Sequence, residues 1–202
     1  MHVTTLPVYS KLAADQDIPE AVRAQIPAGW RLSTHQVETY QALRSDVDIV
    51  FNTAMTGDGK SLAEQLPMLL HNCTTMAMYP TNELIGDQLL QTEETLPRWQ
   101  QDAIRLVRLD ARELDKVEAE AEIQRAAALL NLYGNHELVL TNPDIFHYVM
   151  QQYYIRTGKH SDAPDRVVGR LLNLFEQFTF DEFHIFQAPQ IVAVLNALLF
   201  IR

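Results

Sequence analysis

The stretch Ile49-Val50-Phe51-Asn52-Thr53-Ala54-Met55-Thr56-Gly57-Asp58-Gly59-Lys60-Ser61 constrains this chain more than any other. An apolar run ends in a glycine-containing loop, and Lys-Ser follows where a helical pattern begins. Gly57 and Gly59 lack a Cβ, so the backbone can turn tightly and bring its N–H groups close to an anion. A helix starting at Lys60 adds the positive end of its dipole. Residues Thr56, Gly57, Asp58, Gly59, Lys60 and Ser61 thus read as a cradle for a nucleoside triphosphate such as ATP. Lys60 reaches the terminal phosphates, and Ser61 offers a hydroxyl to Mg²⁺. The general pattern carries a glycine where this chain has Ala54. A surface turn ahead of a helix is the plainer reading. The order of apolar run, glycines, Lys-Ser and helix argues against it.

The chain has 202 residues, 47% hydrophobic and 21% charged, which suffices for a sizeable core in a soluble globular domain. No apolar run reaches the ~18 residues of a membrane span. The longest, Ile191 to Ile201, is short and interrupted by Asn196. The N-terminus lacks a basic stretch followed by an apolar one, so neither a signal peptide nor a membrane partner is expected. Cys73 is the only cysteine, which excludes an internal disulfide and a cysteine zinc site and fits a cytoplasmic location. The net charge of −10 weighs against a nucleic-acid surface. The acid is unevenly placed, however, with a dense block from Asp110 to Glu122 that reads as a solvated helix face.

Residues 1–29 show little periodicity and are punctuated by Pro7, Pro19 and Pro27, which suggests an arm with a short helix over Glu20 to Gln25. Ser33 or Thr34 can cap a helix carrying Val37, Tyr40 and Leu43. Apolar runs over Asp48–Thr53, Thr75–Tyr79, Ala103–Leu109, Glu137–Thr141 and Phe175–Phe180 read as strands. Helical patterns alternate with them: Lys60–Leu70, Glu83 to Leu90 or beyond, the acidic block with Glu122–Leu130, Pro143 to Tyr153, Arg166–Leu174 and Gln190–Ile201. Such alternation predicts an α/β fold, a parallel sheet with helices on both faces. In such sheets ligands sit beyond the carboxyl ends of the strands. Gly57–Ser61, Pro80–Leu84, Thr141–Asp144 and Asp181–His184 each follow a predicted strand, so all four should line one edge.

Asp181-Glu182-Phe183-His184 is the second anchor. Asp181 is placed to hold the Mg²⁺ of a bound triphosphate, Glu182 to orient and deprotonate the attacking water, and His184 to couple nucleotide state to nucleic acid. Alone, an acidic strand end with a nearby histidine is a common solvated turn. Downstream of a phosphate loop in one α/β pattern, it becomes a catalytic candidate. Together these residues resemble the first RecA-like domain of superfamily 2 DExH helicases, over roughly residues 30–202. The loop is similar to the Ala-x-x-Gly-x-Gly-Lys-Ser variant common in helicases. The resemblance makes Gln36 an adenine reader, a task suited to an amide that donates and accepts together. It places Pro80, Thr81, Asn82, Thr141, Asn142 and Asp144 against the sugar-phosphate backbone of a tracked strand. Each of the two groups opens a helix, which suits phosphate contact, and plain helix capping is the alternative.

Within that superfamily the chain resembles the CRISPR-associated helicase of type I-D systems. The similarity rests on Leu6-Pro7-Val8-Tyr9-Ser10-Lys11-Leu12, on Pro27 to Gln36 and on Phe51 to Ser61. It implies ATP and Mg²⁺ as cofactors, 3′-to-5′ movement on single-stranded DNA, and recruitment to a crRNA-guided effector complex with its nuclease-bearing large subunit. The superfamily also has a Ser-Ala-Thr motif and a second RecA-like domain with an arginine finger, and neither is found in these residues. The expectation is that this chain alone binds ATP weakly, hydrolyses little and unwinds nothing. Two alternatives stay open: a non-catalytic nucleotide-binding or docking module, and an RNA helicase of the same superfamily. The aromatic run Phe146 to Tyr154 reads as core with a partner-facing flank. The cluster of Arg156, Lys159, His160, Arg166 and Arg170 reads as a solvated loop.

Overall fold

The computed structural model describes residues 11–55, 57–121, 125–150 and 173–201. Residues 6–10 of the N-terminal arm, Thr56, the run 151–154 and the basic cluster of Arg156 to Arg170 lie outside them. The chain divides into two compact units, Met1–Leu70 and His71–Arg202.

The first unit is helical. Leu12 and Ser33 form an antiparallel bridge, flanked by Ala13 N–H to the Leu32 carbonyl at 2.9 Å and Thr34 N–H to the Lys11 carbonyl at 2.7 Å. Helices α1 (Glu20–Arg23), α2 (Thr34–Leu43) and α3 (Lys60–His71) follow. Ser33 sits in extended conformation at the N-cap of α2, as its position ahead of the Val37/Tyr40 stripe predicts. Val37 and Tyr40 are buried, as are Ala63, Leu66 and Leu69 of α3.

The strand expected over Asp48–Thr53 does not form. A strand exists only through pairing, and no described residue there joins a ladder. Its polar contact is local, from Ala54 N–H to Asn52 Oδ1 at 3.1 Å. Of the apolar side chains that suggested a strand, Ile49 is 51% and Phe51 84% exposed, and Val50 is half-buried.

The second unit carries the sheet. In chain order come β1 (Thr75–Met78), α4 (Asn82–Arg98), β2 (Leu106–Arg108), α5 (Ala111–Ala121), α6 (Arg125–Gly134), β3 (Leu138–Thr141), α7 (Pro143–Met150), β4 (Gln177–Phe180) and α8 (Ala188–Ile201). The strands run parallel in the order β2-β3-β1-β4. Every residue of the central strands β1 and β3 is buried, as a sheet covered on both faces requires. β2 is shorter than the alternation of Ala103–Leu109 suggests, because Asp102 and Ala103 turn out of line.

The core gathers Met76, Met78, Leu109, Leu129, Leu132, Tyr133, Val139, Ile145, Phe146 and Phe175. Tyr133 meets Phe175 edge-on at 5.6 Å between ring centroids, and Phe146 meets Phe178 at 5.9 Å. Phe146, the first of the aromatic run, is therefore core, as expected. The register sets Met78 beside Thr141 on one side and Phe180 on the other. The turns that follow these strands leave the sheet at one edge.

Candidate nucleotide and nucleic-acid sites

The candidate phosphate loop lies in the first unit. Gly57 has φ +88° and Gly59 φ +76°, both left-handed, where a side chain is strained. Asp58 N–H closes the turn on the Met55 carbonyl at 3.2 Å. Lys60 and Ser61 are the first residues of α3, half-buried, where N–H groups have no partner one turn back. The local geometry suits an anion: a glycine turn, a dipole end, an ammonium and a hydroxyl. Thr56 lies outside the described residues.

Gln36 joins this loop from α2. Its Oε1 accepts the Ser33 N–H at 2.9 Å, and its Nε2 donates to the Gly59 carbonyl at 3.0 Å. The side chain is 6% exposed. A Cβ on Gly59 would stand 2.6 Å from Nε2, so glycine is needed there for space as well as for φ.

The remaining predicted residues lie in the second unit, on the turns after the strands. Asp181 N–H continues the ladder to the Met78 carbonyl at 3.0 Å, and Asp181 Oδ1 accepts the Glu182 N–H at 2.7 Å. Glu182 is left-handed at φ +51°, a costly conformation for a residue with a side chain. Its Oε2 stands 3.2 Å from His184 Nδ1. The candidate base and its histidine neighbour are thus in contact, at the start of a short 3₁₀ turn over Phe183–Ile185.

Thr81 caps α4, its Oγ1 accepting the Leu84 N–H at 3.3 Å. Glu83 in that first turn is held below the ordinary carboxylate range, first by its own backbone N–H, then by the Thr81 hydroxyl and the charge of Arg108. Asn142 Oδ1 accepts the Ile145 N–H at 2.9 Å and caps α7, with Pro143 as the first helical residue. Its Nδ2 reaches Asn82 Oδ1 at 3.4 Å, joining the two predicted strand-contact turns. Asn82 and Asp144 are exposed, Thr81 and Asn142 half-buried. Pro80 and Thr141 are buried, contrary to a contact role. The Thr141 hydroxyl donates to the Leu109 carbonyl at 2.9 Å, and Gln190 Nε2 donates to the Pro80 carbonyl at 3.2 Å. These two residues position the rim rather than present themselves on it.

An open cleft of about 380 Å³ lies on the same rim, lined by Asn82, Glu83, Gly86, Arg108, Asp110, Ala111 and Arg112. Its organiser is Asp110, which is buried. One oxygen caps α5 by accepting the Arg112 and Glu113 N–H groups at 2.9 and 3.0 Å, and the other holds Arg108. Sequence reasoning absorbed Asp110 into a solvated acidic face. Its available signal was the position: an aspartate shortly after a strand and directly before a helical run is an N-cap. Among the described residues no three His, Cys, Asp or Glu side chains converge as a metal site. A magnesium ion carried in by phosphates needs only one or two protein oxygens. Each within its own unit, Ser61 offers a hydroxyl and Asp181 a carboxylate, donors of that kind.

No protein-family model matches the chain, and no curated protein does. Among solved structures, the chain is similar to the DUF1998 helicase MrfA bound to DNA and AMPPNP, at 22% identity over 88% of this chain, with a TM-score of 0.58. The same helicase bound to DNA matches at 23% identity over 73% of this chain, with a TM-score of 0.53. The likeness is one of fold, an α/β domain with a parallel sheet. The chain spans about a fifth to a quarter of MrfA's length, 23% and 19% in the two structures.

Proposed function

We propose that this chain is an ATP-binding motor domain of a DNA helicase. The observation that carries the reading is the first turn of α3, where Lys60 and Ser61 stand directly behind two left-handed glycines. A helicase fold and an Asp-Glu-x-His turn at the carboxyl end of β4 support it. Lys60 and the amides of Gly57 and Gly59 take phosphates, with Thr56 and Asp58 alongside in the loop. Ser61 and Asp181 take Mg²⁺. Glu182 activates water, and His184 relays nucleotide state. Asn82, Asn142 and Asp144, supported by Thr81, meet the DNA backbone. MrfA was crystallised with DNA and with AMPPNP, ligands of the classes this reading assigns here.

The finer reading, a type I-D CRISPR helicase working in the cytoplasm with a crRNA-guided complex and its nuclease-bearing subunit, rests on the sequence resemblance alone. The direct test is unwinding by the full-length protein. Lys60→Ala should abolish ATP-dependent strand separation while leaving circular dichroism unchanged, and retained unwinding would refute the assignment. Comparing stimulation of ATP hydrolysis by single-stranded DNA and RNA decides between DNA and RNA motors. Nucleotide binding without stimulation by either polymer would make the chain a docking module instead.

A further inference from the structure

Gln36 has a task in this structure that adenine reading does not describe. We propose that it is a positioning residue of the phosphate loop, a brace that fixes the Gly59 carbonyl and through it the entry into α3. This rests on the phosphate-loop reading of Gly57–Ser61. The amide orientation is dictated by its two partners: a backbone N–H requires Oε1, and a backbone carbonyl requires Nε2. Both ends are engaged and the side chain is 6% exposed, so it offers no open edge to a base.

The Gly59 carbonyl in turn accepts a second bond, from Ala63 N–H at 3.2 Å, the first intrahelical bond of α3. Gln36 and the α3 ladder therefore hold one peptide plane between them. That plane orients the next amide, the Lys60 N–H, which faces an incoming phosphate. On the other side Ser33 anchors the brace. Its neighbours in the bridge to Leu12 and the bonds of Ala13 and Thr34 tie the start of α2 to the segment 11–13. The brace serves phosphate, so its loss is felt by any ligand with a triphosphate, whatever the base.

The test is calorimetric titration of the chain and its Gln36→Glu and Gln36→Ala variants with Mg²⁺·ATP, Mg²⁺·GTP and inorganic tripolyphosphate. Gln36→Glu keeps the acceptor for Ser33 N–H and loses the donor to Gly59. Gln36→Ala loses both without adding charge. Each variant should weaken all three ligands by a similar factor, about fivefold for a lost hydrogen bond. A loss confined to ATP, or no loss, overturns the proposal. If the unaltered chain binds none of the three, the phosphate-loop reading falls and this inference falls with it. A measurement on the unaltered chain guards against variants that fail to fold. The Gln36 side-chain amide resonance should shift on adding tripolyphosphate and stay put on adding adenosine. The reverse pattern overturns the brace.

Discussion

Gly57 and Gly59 share a left-handed backbone but not their surroundings. A Cβ on Gly57 meets open space, whereas one on Gly59 meets the Gln36 amide. Gly57→Ala should therefore cost only the conformational penalty, roughly 1–2 kcal/mol. Gly59→Ala should cost that and about 1 kcal/mol more, because Gln36 must give up its bond to make room. Denaturant titration of both variants checks this, and equal losses would contradict it. Thr141 gives a second case. Thr141→Val removes the donor to the Leu109 carbonyl inside the sheet and should lower stability by about 1–3 kcal/mol by the same measurement. Neither effect is visible from residue type alone. Gln36 and Gly59 meet only because α2 and the loop fold together.

Helix starts were legible because capping is local chemistry. Ser33, Thr81 and Asn142 each precede the helix that their side-chain oxygens and following residues announce, and α2, α4 and α7 begin there. Asp110 obeys the same rule, and Asp110→Ala should cost about 1–2 kcal/mol for the lost cap. Asp110→Asn, which keeps an oxygen for the α5 amides, should cost less. Equal losses would show that the charge facing Arg108 matters more than the cap. Strands were less legible because their partners lie far away in sequence. The run Asp48–Thr53 has strand-like residues and no ladder, whereas Leu138–Thr141 has the same character and two parallel neighbours.

At the amino end of β3, Glu137 pairs with Arg105 at 2.6 Å. The guanidinium hydrogen bonds hold the carboxyl below its ordinary value of 4.5. Because the folded value is depressed, the pair's stabilisation is complete above the ordinary value and fades as pH falls through the folded one. The loss in stability on replacing Glu137 with Gln should therefore shrink below pH ~4.5. A difference constant down to pH 3 would contradict this pairing.

On the scale of the molecule, three of the four polar turns expected at one edge follow the parallel strands β1, β3 and β4, whose register aligns their ends. The fourth, the candidate phosphate loop, belongs to a unit without a sheet strand among the described residues, so the proposal for it rests on local geometry. Recurrent apolar runs and helix starts made the sheet readable. What stayed hidden was long-range, namely the bond from Gln36 to the Gly59 carbonyl. The measurement closest to the central claim is Mg²⁺·ATP binding by the chain and its Lys60→Ala variant, with tripolyphosphate as competitor. The account predicts saturable binding, displacement by tripolyphosphate, and a loss of about tenfold to a hundredfold in the variant. Equal affinity for the two proteins, or ATP binding that tripolyphosphate cannot displace, would contradict it.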